Sequence, residues 1–181
     1  HIDREEVAEI ILPSLLSLKA KGVSTLIECS TGGIGRDHLI LHDLARRSRL
    51  NVVAPTGLYK EYFMPPWAKS WTVDQLADWM CEEIQRGMEG TTTRAGFIKL
   101  AASSEGLTAL EGKVLRAAAK ASQRTGAAIS DHTESGAILL QEVNVLRDED
   151  FELGKFICVL AHAEPDSSHH IRAAEIGINV E

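Results

Sequence analysis

Six short apolar runs, separated by stretches with the spacing of amphipathic helices, constrain the fold of this 181-residue chain more than any other feature. Runs of this length, rich in Val, Ile and Leu, are typical of buried strands. Because strand and helix alternate along the chain, the sequence predicts a parallel sheet with right-handed crossovers. The predicted strands cover residues 23–29, 51–54, 96–101, 127–132, 156–162 and 178–181.

Capping residues mark the starts of two predicted helices. Asp3 is followed by Glu6, and Thr72 by Gln75, which is the spacing of a capping box. Pro13 lies inside the first helical stretch and is expected to kink or split it. The predicted helices cover residues 3–19, 36–50, 72–85, 107–123, 136–146 and 167–175, and residues 60–70 are expected to form a longer connection.

The regular unit of about 30 residues fits either a (β/α)8 barrel or a doubly wound sheet. Six strands are two short of a barrel, the first element is a helix and the last is a strand. We therefore expect an α/β fold in which residues 1–181 form a single partial TIM-barrel domain, covering about strands 2 to 7 and lacking the first and last strands. The two open sheet edges would need a cover from the missing segments or from a partner chain, so a homodimer is one possible arrangement.

Charge and cysteine content narrow the partners and the compartment. The net charge of −7 argues against broad binding of nucleic acids or anionic membranes. No apolar stretch approaches the ~20 residues of a membrane-spanning helix. The three cysteines form no CxxC pair and are odd in number, which favours a reducing compartment. We expect a cytoplasmic protein whose partner is a small molecule.

Three residues able to carry chemistry lie near the C-terminal ends of successive predicted strands: Lys99, His132 and His162. They are 33 and 30 residues apart, so parallel strands would place them at one edge of the sheet, where α/β folds keep their sites. Imidazole is a common metal ligand, and a lysine carbamylated by carbon dioxide becomes a carboxylate that could bridge two cations. A buried lysine in a core salt bridge, with two hydrogen-bonded histidines, fits the spacing equally well.

Five longer stretches agree in order and spacing with one known family. They are IECSTGGIGRD (27–37), NVVAPTGLYKEYFMPPW (51–67), GTTTRAGFIKLA (90–101), EGLTALEGKVLRAAAKASQRTGAAISDHTESG (105–136) and VLAH (159–162). On these stretches, which cover nearly the whole chain, the sequence resembles the phosphotriesterase-like branch of the amidohydrolase superfamily, a group that includes phosphotriesterases and lactonases.

The resemblance implies a (β/α)8 barrel with a centre of two divalent metal ions, expected to be zinc. Lys99 matches the carbamylated lysine that bridges the metals, and His132 and His162 match ligands of the more exposed metal. Tyr59 matches an aromatic residue that lines the pocket near the bridging water. The implied enzyme is a metal-dependent hydrolase whose bridging hydroxide attacks a lactone, an ester or a phosphotriester, with lactones favoured by Tyr59 and the long loop.

Parts of the implied ligand set are absent from the sequence. A His-x-His pair on the first strand and an aspartate on the eighth strand have no counterpart in residues 1–181. Since metal affinity falls with ligand count, we expect the full-length protein to be the enzyme and these residues alone to be inactive. The sequence also departs from the family at Asp131, where a small hydroxyl residue is common, and at Ala161, where glycine is usual. These departures concern the substrate pocket more than the ligands.

Other features leave alternatives open. The TGGIG turn at residues 31–35 follows a strand and could cradle a phosphate, although a tight turn without a ligand is favoured. The alternative functions are a non-catalytic phosphate-binding α/β module and an inactive partial barrel that acts as an assembly partner. We further expect Arg36 to pair with Asp37 and four histidines to face solvent: His38, His42, His169 and His170.

Overall fold

A computed structural model describes residues 3–181, and every strand in them runs parallel to its neighbour. The strands pair in chain order, β1 with β2 and then β3 through β7. Only Ala54 separates β2 from β3, and its carbonyl accepts a hydrogen bond from Gly96 N at 2.9 Å. All six predicted strands are present, but shorter than predicted, and the two-residue strand β3 is a seventh that the sequence did not predict. Their bounds are β1 Thr25–Ile27, β2 Asn51–Val53, β3 Pro55–Thr56, β4 Phe97–Ala101, β5 Ile129–His132, β6 Phe156–Val159 and β7 Asn179–Val180.

Helices follow the strands as the sequence predicts. The first continues through Pro13, so the predicted split does not occur. Residues 60–70 are more ordered than a plain connection, because they hold a 3₁₀ turn (Glu61–Phe63) and a short helix. In residues 3–181, no helix is long and apolar enough to cross a membrane. The helices are α1 Arg4–Ala20, α2 His38–Ser48, α3 Pro66–Ser70, α4 Val73–Gln85, α5 Ala109–Thr125, α6 Gly136–Asp148 and α7 Ser167–Glu175.

The two faces of the sheet have different roles. Side chains alternate along a strand, and Ile98, Ile129 and Phe156 are completely buried in the core shared with the helices. Lys99 and His132 belong to the opposite face, since Lys99 is paired in register with Ser130 and Ala101 with His132. The register therefore places the lysine and the first histidine on one face of neighbouring strands.

A buried ion pair joins the β1–α2 loop to α4. The Arg36 guanidinium forms two 2.7 Å hydrogen bonds with Glu83, and both side chains are only 3% exposed. The expected pairing of Arg36 with Asp37 is wrong. Asp37 instead caps α2 and pairs with Arg4 at 3.0 Å. The cause is geometric, because a side chain that caps its own helix points away from the adjacent residue.

Two buried carboxyl groups lie between β5 and α6. Asp131 and Glu142 are 2% and 0% exposed, and the Glu142 carboxylate accepts hydrogen bonds from Thr133 Oγ1 at 3.1 and 2.8 Å. Burial raises the pKa of Asp131 to about 6 and raises that of Glu142. Asp131 follows Ser130 and precedes His132 on a strand, so its side chain lies on the helix side of the sheet. The departure at Asp131 therefore changes the packing behind the strand, and its charge also acts on Lys99.

Replacing Glu83 by alanine should lower the free energy of unfolding by about 3 kcal/mol, because the buried Arg36 would keep only the Pro55 carbonyl and the half-exposed carboxylate of Glu89 as partners. The matched control is Glu82→Ala, since Glu82 precedes it on α4 and forms an exposed pair with Arg86. That variant should lose less than about 1 kcal/mol. Urea denaturation measures both, and equal losses would contradict the role given to the buried pair.

Asp131→Asn should change how stability depends on pH. The carboxyl titrates near 3.8 when unfolded and near 6 when folded, so the folded protein binds more protons between these values. The free-energy penalty for ionising the buried carboxyl is therefore absent below about pH 4 and present in full above about pH 6. From pH 4 to 7 the variant should gain about 1–3 kcal/mol relative to the wild type. Glu9→Gln on the exposed surface of α1 is the control, and parallel curves for wild type and Asp131→Asn would refute the assignment.

Candidate functional site

Lys99 is a buried lysine without a carboxylate partner in the part of the chain described here. It lies on β4 and is 3% exposed. Its amine donates a hydrogen bond to the Leu100 carbonyl, and it takes part in none of the ion pairs within residues 3–181. Burial lowers the pKa of the ammonium, and the negative charge of Asp131 on the next strand opposes this only in part. At a given pH, a larger fraction of Lys99 is therefore in the neutral amine form than for a solvated lysine.

Tyr59 is the common neighbour of Lys99 and His132. The Lys99 Nζ atom lies 5.8 Å from the centre of the Tyr59 ring, and the His132 ring lies 5.7 Å from it, edge to face. Gly57 brings Tyr59 there, because its φ is +106° and a Cβ on it would lie 2.2 Å from the Lys99 carbonyl oxygen. The chain after β3 can therefore pass directly against β4. Phe63 extends the aromatic wall, with its ring 5.9 Å from that of Tyr59.

His132, at the end of β5, is held by a carboxylate that sequence reasoning did not single out. Its Nε2 atom lies 3.3 Å from Glu134 Oε1, and the same oxygen accepts a 2.7 Å hydrogen bond from Lys60 Nζ. The Lys60 hydrogen bond lowers the pKa of Glu134 to about 2, so Glu134 is ionised. Burial lowers the pKa of His132, although Glu134 opposes it, which favours the neutral imidazole that binds metals.

His162 stands apart from this group. It lies in a 3₁₀ turn (Ala161–Ala163) directly after β6, and its side chain is exposed. Within residues 3–181, no cluster of three or more His, Cys, Asp and Glu side chains is already arranged for a metal ion. The structure thus brings Lys99, Tyr59 and His132 together, and places His162 at the same edge of the sheet without contact to them. The roles of all four residues stay predictions.

The segment that carries Tyr59 is tethered to the loop after β4. The Glu111 carboxylate, 3% exposed, accepts hydrogen bonds from Glu61 N at 2.9 Å and from Ser103 N at 3.1 Å. It also accepts one from Thr108 N at 3.1 Å, where α5 begins. One buried carboxylate therefore fixes the aromatic wall relative to β4. Its capping-box position in the first turn of α5, three residues after Thr108, was the available signal, but the contact with Glu61 spans 50 residues.

Of the four histidines expected to face solvent, one is buried and two are partly buried. His38 is buried, and its Nδ1 atom lies 3.0 Å from Glu89 Oε2. His169 and His170 are partly buried against the segment after β6. Only His42 is exposed as expected. Spacing along a helix does not reveal these contacts, because each partner belongs to a loop.

The TGGIG turn is packed against the chain rather than open to a ligand. Gly32 forms an isolated parallel bridge with Leu58, next to Tyr59. At the start of α2, the amides of Leu39 and Ile40 already donate to the Asp37 carboxylate at 3.0 and 3.1 Å. A phosphate would have to compete with that cap. The geometry thus favours the tight turn.

Comparison with known proteins places the chain in one family. The Phosphotriesterase family matches residues 1–180. The phosphotriesterase homology protein of Escherichia coli (strain K12) is 36% identical over 146 residues, which make up 80% of this chain and 50% of that protein. The aryldialkylphosphatase of Saccharolobus solfataricus is 32% identical over 137 residues, 75% of this chain and 44% of that protein. The chain thus spans about half the length of the curated relatives that it matches.

The fold agrees with this relationship. The crystal structure of phosphotriesterase homology protein from Escherichia coli, complexed with phosphate in its active site, matches with a TM-score of 0.88 at 30% sequence identity. The match covers 96% of this chain and 60% of that one. Together with the parallel strands paired in chain order, it confirms the predicted partial (β/α)8 barrel. The chain belongs to the phosphotriesterase family.

Proposed function

We propose that the protein containing this chain is a metal-dependent hydrolase of small molecules, with Lys99 at its centre. The observation that carries the proposal is the burial of Lys99 beside Tyr59 and His132, with a lowered pKa and no contacting carboxylate among residues 3–181. An unpaired lysine in a protein interior is costly. Carbamylation would convert the buried amine into an anion, and bound cations would then offset the cost of burying its charge.

The ligand atoms that these residues would offer are of the types that bind divalent metal ions. Lys99 as a carbamate, His132 and His162 would supply oxygen and nitrogen ligands, and zinc is the metal we expect. Two such ions, when bound, would acidify a water molecule and polarise the substrate oxygen. His132 Nε2 already faces the Glu134 carboxylate, so this pair would hold the ring in a fixed orientation.

The remaining groups shape the pocket. Tyr59 and Phe63 form an uncharged aromatic wall beside Lys99 and His132. Lys60, next to this wall, is paired with Glu134 and so is not free to bind an anionic substrate. Both observations support an uncharged lactone, ester or phosphotriester as the substrate, with lactones first. A non-catalytic phosphate-binding module is less well supported, since the amides at the start of α2 already donate to Asp37, whereas an inactive assembly partner stays an alternative.

Lys99→Met should abolish hydrolysis and metal uptake, because methionine fills the same space without an amine. We expect the wild-type protein, with all its natural flanking sequence, to hold close to two divalent ions per chain. In the variant, hydrolysis of a lactone or an aryl ester should fall at least about 100-fold. Elemental analysis and an esterase assay provide the two readouts.

Lys19→Met on the exposed end of α1 is the control and should match the wild type. Circular dichroism establishes that Lys99→Met is folded. Full activity in folded Lys99→Met would remove Lys99 from the mechanism. Activity without bound metal in the wild type would overturn the metal dependence.

A further inference from the structure

The chain leaves β6 through an unfavourable backbone conformation. Leu160 has φ 68° and ψ 21°, the left-handed region that non-glycine residues with bulky side chains rarely adopt. His162 follows two residues later, in the 3₁₀ turn Ala161–Ala163. A strained backbone conformation of this kind is maintained only where contacts with the surrounding structure stabilise it. The direction in which His162 is presented therefore depends on whatever fixes the turn.

The next residue, Ala161, is held through both of its backbone polar groups. Ala161 N donates a 3.1 Å hydrogen bond to the carbonyl of Glu181, just beyond β7. Ala161 O lies 2.8 Å from Nε2 of His170, which belongs to α7. Because a carbonyl oxygen can only accept, His170 must carry its proton on Nε2 and act as the donor. This hydrogen bond is one side-chain contact that fixes the turn carrying His162.

A second contact ties this turn to the loop that follows His132. Glu164 Oε2 accepts a 2.8 Å hydrogen bond from the amide of Gly136, where α6 begins. The same oxygen lies 3.0 Å from Nδ1 of His169. A Cβ on Gly136 would lie 2.2 Å from the His169 ring, so α7 can approach α6 this closely only at a glycine. The loops after β5 and β6 are thus joined through one carboxylate.

We propose that His170 and Glu164 are positioning residues that set the direction of His162 and its separation from His132. The inference rests on the proposed function, in which both imidazoles are metal ligands. In this role His170 acts through the backbone at Ala161 and not as a ligand. Glu164 acts through the start of α6. Outer contacts of this kind typically change metal affinity 10- to 100-fold.

Two substitutions of His170 separate positioning from simple packing. His170→Phe keeps a ring but has no donor, whereas His170→Gln keeps an N–H group at a similar distance along the side chain. Co²⁺ titration, followed by visible absorption, should show about 10- to 100-fold weaker binding and an altered spectrum for His170→Phe. His170→Gln should recover most of the affinity. His42→Phe on the exposed face of α2 is the control, and His162→Ala gives the effect of losing the ligand itself.

Hydrogen exchange provides a readout that needs no metal. The amides of Ala163 and Glu164 donate to Leu160 O and Ala161 O within the turn. Their exchange should be faster in His170→Phe and close to wild type in His170→Gln. Wild-type exchange and Co²⁺ binding in folded His170→Phe would refute the positioning role alone. A wild-type protein that takes up no Co²⁺ would refute the proposed function, and the inference with it.

Discussion

The burial of the Lys99 amine is the constraint on which the candidate site depends. Lys99 is 3% exposed and is not paired with a carboxylate in residues 3–181. Its burial lowers the stability of the fold, because the charged form loses its hydration. The lowered pKa relieves part of this cost by favouring the neutral amine. Among residues 3–181, no carboxylate contacts the amine. Its neighbours are the ring of Tyr59 and, beyond that ring, the imidazole of His132.

Around this amine, the loops at the C-terminal edge of the sheet are tied together by carboxylates. Glu111 joins the loop after β4 to the segment of Tyr59, and Glu134 joins His132 to Lys60. Glu164 joins the turn after β6 to the start of α6. Each carboxylate accepts several hydrogen bonds, which fixes loops that would otherwise be mobile. The rigidity that a metal site needs is thus built from charged groups that are not themselves proposed ligands.

The sequence was sufficient for most of the helices and strands, although not for β3 or α3. Alternating apolar runs predicted β4, β5 and β6 because strand burial leaves a local signature, and the capping box at Thr72 marked the start of α4. Long-range pairings were not predictable. Arg36 pairs with Glu83, 47 residues away, instead of its neighbour Asp37, and Lys60 pairs with Glu134 across 74 residues. Such choices depend on which loops the folded barrel brings together, and no spacing rule encodes them.

The measurement that most directly tests the central claim is carbon-13 NMR of the metal-loaded protein after incubation with ¹³C-bicarbonate. A buried lysine of lowered pKa should take up labelled carbon dioxide, so the wild type should show one carbamate resonance that is absent from Lys99→Met. A metal-loaded, active wild-type protein without that resonance would contradict the role assigned to Lys99.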